Sequence, residues 1–493
     1  RKEVLDHMLA QNYISQEQYD ECLADNVYER IQQVEAETSQ EDTTYSYFVD
    51  ELTKQVVSDL KTQKGYSDQQ AYNALYSGGL RIYTTQDPNI QQICDEEYSN
   101  PANFPSGTQV ELEYALTIRR PNGTEENFSQ EMMQSYFQQQ EGENFNLLFD
   151  SAEQAQNYID TYKAAVTYDG SEVLSESITM APQPQSSVVI MDQHTGYVKA
   201  IVGGRGEKTS SLSLNRATST LRQPGSTFNE CGMTLATTYT DKPITYKDGT
   251  PVKNATNSYR GETTIREAII HSINTVAVQC FTDVTPQLGY EYLKKFGFTT
   301  VYDNISINGK IYTDIQQPTA LGGITRGVSN LELTGAYAAI ANSGTYIKPM
   351  FYTKILDEDG NVVIDNTPEE RKVIKPSTAY LLTSAMEDVV SEGTGTRLQL
   401  SNMHVAGKTG TTDTYNDVWF AGFTPYYTCT IWSGYDDNTK IPDTGNYRTY
   451  HQDLWNRIMS RIHENLEDKD FDKPATVGEA TVCKDTGMLP TYN

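Results

Sequence analysis

Strand-like runs stand at both ends of the larger part of this chain, with helical patterns between them. Residues 186–204, SSVVIMDQHTGYVKAIVGG, read as two strands joined by a turn at Gln193 to Gly196. Residues 405–412 (VAGKTGTT), 417–425 (DVWFAGFTP) and 427–437 (YTCTIWSGYDD) read as three more in succession. Apolar residues recur at helical spacing through 260–300 and 330–345, and HQDLWNRIMSRIHENL (451–466) closes the run as a helix. Strands first, helices in the middle and strands last predict an α/β chain of the α+β kind: one mostly antiparallel sheet whose faces carry helices. Such a fold must bring the distant ends of the segment into one sheet.

The rest divides around that core. Residues 1–35 predict two short helices, with Ser15 as N-cap and Gln18 completing a capping box. Residues 36–99 begin as a polar, acidic linker (VEAETSQEDTT, 34–44). An amphipathic helix follows, with Phe48, Leu52, Val56 and Leu60 at helical spacing, and then a strand at GGLRIYTT. Residues 100–184 predict a separate small α+β spacer. Its hairpin turns at Asn122-Gly123, and Ser151 caps a helix over 151–166. The core is expected to span 185–470, with a C-terminal extension over 471–493. About three domains is the count that 493 residues suggest.

A net charge of −28 disfavours nucleic acid as a partner, because its phosphates would be repelled over most of the surface. Six cysteines lie far apart with no C-x-x-C pair, so neither a zinc site nor a small disulfide framework is predicted; buried free thiols are expected. No signal peptide and no apolar run of about 18 residues is present. With Arg1 as first residue, the expectation is a fragment, either soluble or separated from an upstream anchor.

Three short motifs carry chemistry. Ser226 follows Pro224-Gly225 and precedes an apparent helix, where free backbone N–H groups and the helix dipole would favour a developing alkoxide or oxyanion. In HSINT, Ser272 and Asn274 offer a hydroxyl to relay a proton and an amide to hold a substrate amide. In AGKTGTT, strand period puts Thr409 and Thr411 on one side, where two hydroxyls could grip a carboxylate. Gly410 admits a ligand backbone, and Lys408 points the other way. A second Ser-Ile-Asn, at 306–308, is expected to be a surface turn unrelated to the cleft.

Together these motifs resemble the S-x-x-K, S-x-N and K-T-G set of penicillin-binding proteins and serine β-lactamases, in that order. RQPGSTF, YRGETTIREAIIHSINTVAVQ, VAGKTGTTDTYNDVWFAGFTP and WSGYDD look like the transpeptidase domain of class A penicillin-binding proteins. GGLRIYTTQDPNIQ looks like that family's approach to the module, and residues 1 to about 30 resemble the tail of its glycosyltransferase domain. The resemblance implies a penicillin-binding protein/serine β-lactamase-like fold and a D,D-transpeptidase that cross-links peptidoglycan stem peptides on the outer side of the membrane. An N-terminal anchoring helix would lie outside this chain. Ser226 would form the acyl-enzyme, and Ser272 and Lys408 would pass the proton toward the leaving group. Asn274, Thr409, Gly410 and Thr411 would bind substrate, with the oxyanion held by backbone N–H groups of Ser226 and Thr411. No metal or cofactor is implied. β-Lactam antibiotics would acylate Ser226, a parent protein would also use the lipid-linked precursor, and cell-division or elongation proteins are further expected partners.

One position departs from the family. Asn229 stands where the motif lysine should follow Ser226, and NECGMTLATTYTDKP resumes the family pattern only after an apolar helix that is absent. The shortfall is roughly nine residues, about two and a half helical turns. The expectation is a segment dropped between Phe228 and Asn229, which predicts a chain break there. The competing reading is a catalytically inactive wall-binding pseudoenzyme. The one formal S-x-x-K, Ser58 to Lys61, lacks the Pro-Gly approach and is set aside. A β-lactamase would need a deacylating glutamate with no convincing match here. Neither G-x-S-x-G nor H-E-x-x-H occurs.

Overall fold

The computed structural model describes residues 5, 8–9, 14–24, 44–107, 109–168, 170–228, 234–483 and 487–489. Strand β1 (Gln185–Asp192) has apolar residues on both faces and is buried along nearly its whole length, as a central strand must be. It pairs with β2 (Tyr197–Val202) on one side. On the other it meets the last of three late strands: β3 (Ala406–Thr411), β4 (Asp417–Phe423) and β5 (Thr428–Gly434). The order across the sheet is β3-β4-β5-β1-β2, antiparallel at every step. The predicted joining of distant ends is the pairing of β1 with β5, in which Val188 faces Ile431.

Period-two alternation sorts the side chains into two layers. Trp419, Ala421, Phe423 and Trp432 pack against α4 (Asn330–Ala341) and α5 (Pro376–Ser391). Phe420, Cys429, Ile431, Val188 and Ile190 pack instead against α6 (Tyr450–His463) and the helix Pro88–Ser99. Each large apolar side chain so buried, such as Leu454 or Ile458, contributes roughly 1.5–3 kcal/mol. Helix α4 is buried without interruption from Leu333 to Ile340, as expected for a helix that is apolar all round. Three further helices complete the site layer: α1 (Ile265–His271), α2 (Asn274–Val284) and α3 (Pro286–Lys295). The predicted amphipathic helix is Tyr47–Lys64, and Phe48, Leu52, Val56 and Leu60 cover Val189, Val198 and Ile201.

The segment 109–183 builds its own sheet on a long central strand, Gln109–Arg119. That strand pairs with Glu172–Gln183 on one edge and with Glu125–Ser129 and Leu148–Phe149 on the other. Gly123, with φ +84, makes the hairpin turn, and Ser151 Oγ accepts from Gln154 N to start the helix Ala152–Val166. Leu112, Tyr114, Leu116 and Ile118 line one face against Phe137, Ile159 and Tyr162. Residues 1–45 form a compact unit of their own. Within it the helix Gln16–Ala24 starts at the predicted capping box: Gln18 N donates to Ser15 Oγ, and Ser15 N donates to Gln18 Oε1.

One expectation is overturned. Cys280 is disulfide-bonded, not a buried free thiol. Cys94 and Cys429 keep free thiols. Both are buried, and burial pushes both thiols well above their ordinary range.

Candidate active site

Thr264 Oγ1 accepts from Glu267 N and starts α1, which ends at Ser272 in the left-handed region (φ 54). A non-glycine residue there is strained, and such strain gathers at functional sites. The kink separates α1 from α2 and leaves Ser272 at the junction. Lys408, on the adjacent strand β3, is 2% exposed, and its Nζ donates to Ser272 Oγ at 2.9 Å and to Thr409 O at 3.1 Å. Because Oγ accepts from the ammonium, the Ser272 hydrogen is left to donate elsewhere. Lys408 of the third motif and Ser272 of the second are thus in direct hydrogen-bond contact.

The first motif is placed by close packing. Ser226 lies in a short 3₁₀ turn, Gly225–Phe228, half-buried beside β3. A methyl group on Gly225 would come within 2.6 Å of Thr411 O and 2.8 Å of Thr411 N, and one on Gly410 within 2.5 Å of Pro224 O. Two glycines thus let the turn lie directly on the strand, and Gly225 also needs its positive φ of 54. Further bonds pin the turn: Tyr337 OH donates to Thr227 O, Trp419 Nε1 to Gln223 O, and Thr227 Oγ1 to Pro224 O. Arg222 clamps the approach through Tyr435 O and Asp436 O, with its guanidinium over the Trp432 ring. Beneath it, burial raises the Asp417 carboxyl, although Arg222 and the Trp432 indole N–H act against that shift.

The binding candidates are disposed unequally. Asn274 begins α2, and its amide Nδ2 donates to Lys253 O. Thr409 Oγ1 shares a hydrogen bond of 2.7 Å with Thr394 Oγ1, while Thr411 lies beside Gly225. Strand β3 is an edge strand, so its outer backbone groups are open to an added extended peptide. Sequence reasoning missed Thr394 and Tyr337; the glycines at 393 and 395 were the available signal for the first. Ser306 and Asn308 sit on the exposed hairpin Ile305–Tyr312, whose turn at Asn308-Gly309 has positive φ at both residues. Ser58 is exposed on the helix Tyr47–Lys64, and Lys61 pairs with Asp68. Asn229 and the predicted break after Phe228 lie outside the described residues. Among the described residues no three His, Cys, Asp or Glu side chains gather as metal ligands. No helix among them is long and apolar enough to cross a membrane.

Residues 186–459 match the family described as the penicillin-binding protein transpeptidase domain. Penicillin-binding protein 1A of Clostridium botulinum (strain Hall) is 31% identical, covering 99% of this chain and 52% of its own length. The chain belongs to the class A penicillin-binding proteins. The Clostridium tetani relative of the same name is 30% identical over 99% of this penicillin-binding protein and 56% of its own length. The chain therefore spans about half the length of the curated relatives it matches. The crystal structure of penicillin-binding protein 1A from Haemophilus influenzae has the same fold, with a TM-score of 0.64 at 20% identity, covering 100% of this chain and 80% of that one. A structure of the PonA1 protein from Mycobacterium tuberculosis in complex with penicillin V gives 0.60 at 20% identity, covering 90% and 99%. A penicillin-binding protein with this domain is a cell-wall transpeptidase.

Proposed function

We propose that this chain carries a serine D,D-transpeptidase site in which Ser226 forms the acyl-enzyme. The observation that carries the reading is the 2.9 Å bond from Lys408 to Ser272, beside a strand on which the Ser226 turn is packed. Ser226 Oγ attacks the carbonyl of the penultimate D-Ala of a stem peptide. The new C–O bond forms as the C–N bond to the terminal D-Ala breaks. The serine proton ends on the departing amine, delivered by Ser272, whose hydroxyl hydrogen Lys408 leaves free. An amine from a neighbouring peptide then attacks the ester, forming the cross-link amide and returning a proton to Ser226. Backbone N–H groups of Ser226 and Thr411 hold the oxyanion, a contribution worth about 10²–10³-fold per donor in comparable sites. Thr409 and Thr411 take the terminal carboxylate, Gly410 lets the peptide lie against β3, and Asn274 orients its amide.

A β-lactam presents the same carbonyl to Ser226 and stays as an ester. The parent protein is proposed to be bifunctional, to use a lipid-linked precursor, and to act outside the membrane from an N-terminal anchor. Residues 1–35 are proposed as the tail of its glycosyltransferase domain. A second reading, an inactive wall-binding protein, is favoured by Asn229 alone, because an amide cannot accept the serine proton. Intact-protein mass spectrometry after incubation with a fluorescent penicillin separates the two. The first predicts one adduct, lost in Ser226→Ala; absence of any adduct supports the second.

A further inference from the structure

The sheet of segment 109–183 joins the core sheet through Gln183. Gln185 pairs with Gly434 where β1 meets β5, and the same register carried two residues further sets Gln183 beside Asp436. Gln183 also ends the strand Glu172–Gln183, where it lies opposite Gln109. Its side chain is fully buried, and its Nε2 donates to Glu111 Oε2 at 2.8 Å and to Asp436 Oδ2 at 2.7 Å. Asp436 N donates back to Gln183 Oε1 at 3.3 Å. One amide therefore holds two carboxyl groups, one from each sheet's side of the joint. Around it, Leu148 packs against the cluster of Val418, Tyr435 and Ile441, and Asn146 Nδ2 donates to Asp437 Oδ2 at 3.3 Å.

Asp436 faces two ways. Its side chain meets Gln183 and Arg216, whose Nε donates to Oδ1 at 2.6 Å. Its carbonyl and that of Tyr435 each accept from Arg222 NH2 at 2.9 Å. Asn438 N closes the turn on Tyr435 O at 3.1 Å, and Asn438 Oδ1 accepts from Arg222 NH1 at 3.2 Å. Tyr435–Asn438 is thus a β-turn whose carbonyls hold Arg222 and whose carboxylates meet segment 109–183. Arg222 exchanges two backbone bonds with Val328, and Ser226 stands four residues further on. A shift of Asp436 therefore reaches Arg222 through direct bonds, and through Arg222 the approach to Ser226.

The charges at the joint are unbalanced. Facing Glu111 are Asp436 and Asp437 from the turn, Glu113 from its own strand, and Arg216, whose guanidinium is already spent on Asp436. Burial and then these acids push the Glu111 carboxyl from 4.5 up to about 7. Protonated, Glu111 still accepts from Gln183 through its carbonyl oxygen; ionised, it sets a second negative charge against Asp436 across a single amide. We propose that Asp436 is a positioning residue for the Ser226 turn, and that segment 109–183, by holding Asp436 through Gln183 and Glu111, sets how readily Ser226 reacts. Ionisation of Glu111 loosens that hold. With the folded carboxyl raised, the hold is complete below about pH 4.5 and is lost as pH rises through about 7. The effect on acylation rests on the transpeptidase reading above; the joint itself does not.

The test compares the full chain with Glu111→Gln, which can still accept from Gln183 but cannot ionise, at about pH 6 and about pH 8.5, on either side of the shifted value. Two quantities are read: deuterium exchange of the backbone amides of Tyr435–Asn438, and the second-order rate of acylation by a fluorescent penicillin. At the lower pH the two proteins should match in both. At the higher pH the parent should exchange faster and be acylated roughly 3–10-fold more slowly than the variant, a fraction of the ~10²-fold that a displacement of about 1 Å costs. Asp437→Asn removes one of the charges facing Glu111, so the parent's loss of rate should move to lower pH. A merely structural role would leave that midpoint in place. Asp437 is exposed, so this second variant decides the matter should Glu111→Gln fold poorly. Equal exchange and equal rates in parent and Glu111→Gln at both pH values overturn the proposal. Faster exchange with unchanged acylation overturns the positioning role of Asp436. If exchange differs as expected but Ser226 is acylated in neither protein, the joint stands and the positioning role falls together with the transpeptidase reading.

Discussion

Gly410→Ala isolates the contact on which the site depends. Gly410 needs no unusual φ, so alanine introduces no backbone strain and acts through one methyl group. That methyl would lie 2.5 Å from Pro224 O, 2.7 Å from Thr227 Cγ2 and 3.1 Å from Trp419 Cβ, where ordinary contact begins at 3.4 Å. Trp419 belongs to the buried sheet, so the Pro224–Thr227 turn is the side that moves, by about 0.9 Å. A displacement of about 1 Å in a reacting group costs on the order of 10²-fold in rate. Overpacking adds about 1–3 kcal/mol of destabilisation. The measurement is the second-order rate of acylation by a fluorescent penicillin, followed by intact mass, with Tm recorded alongside. Gly478→Ala, where a methyl meets nothing within 4 Å, should change neither quantity. Acylation of Gly410→Ala within threefold of the parent rate, with an unchanged Tm, would refute the packing of the Ser226 turn on β3.

Three further outcomes are expected. Lys408→Met removes a charged donor that is 2% exposed and bonded to Ser272; losing a charge-assisted bond of about 1.5–3 kcal/mol should slow acylation by roughly 10–150-fold while the adduct remains on Ser226. Tyr337→Phe deletes the bond to Thr227 O and should cost about 1 kcal/mol, seen as a lowered urea midpoint at unchanged slope. Burial, with Asp436 and Asp437 nearby, pushes the Glu111 carboxyl from 4.5 up to about 7. The folded chain then holds that proton more tightly than the unfolded one, so this group's contribution is present below about pH 4.5 and is lost as pH rises through about 7. Relative to Glu111→Gln, the parent should lose Tm steadily across that window; a constant difference would show that Glu111 is not the group responsible.

The sheet was legible because its strands carry apolar residues on both faces, and β1, β4 and β5 need nothing else to be found. The stretch read as helical from 260 onward begins instead with a strand, Gly261–Thr264, paired to Thr238–Asp241. Its threonines have no apolar period, and its anchor is the Asp241 carboxylate, which accepts from Thr275 and Asn254. That anchor is a set of polar partners distant in sequence, which no local pattern reveals. Lys408 and Ser272 were found through motif order. Thr394 and Tyr337 were not, because their hydrogen bonds to Thr409 and Thr227 reach across the fold. The Cys280 disulfide escaped because cysteine positions alone do not show which thiols pair.

The pairing of β1 with β5 also sets a clock. Gln185 lies opposite Gly434, so about 250 residues separate the partners, and at 5–20 residues per second synthesis takes roughly 12–50 s to supply the second after the first. Throughout that interval Val188, Val189, Ile190 and Met191 form an apolar strand with one edge unclaimed, the kind of template on which other chains add. Contacts this remote in sequence also make for slow closure once both halves exist. A nascent chain of this protein therefore depends on being kept apart from its neighbours until residue 434 has emerged, and chains cut short before Thr428 should accumulate as aggregates and not as folded fragments.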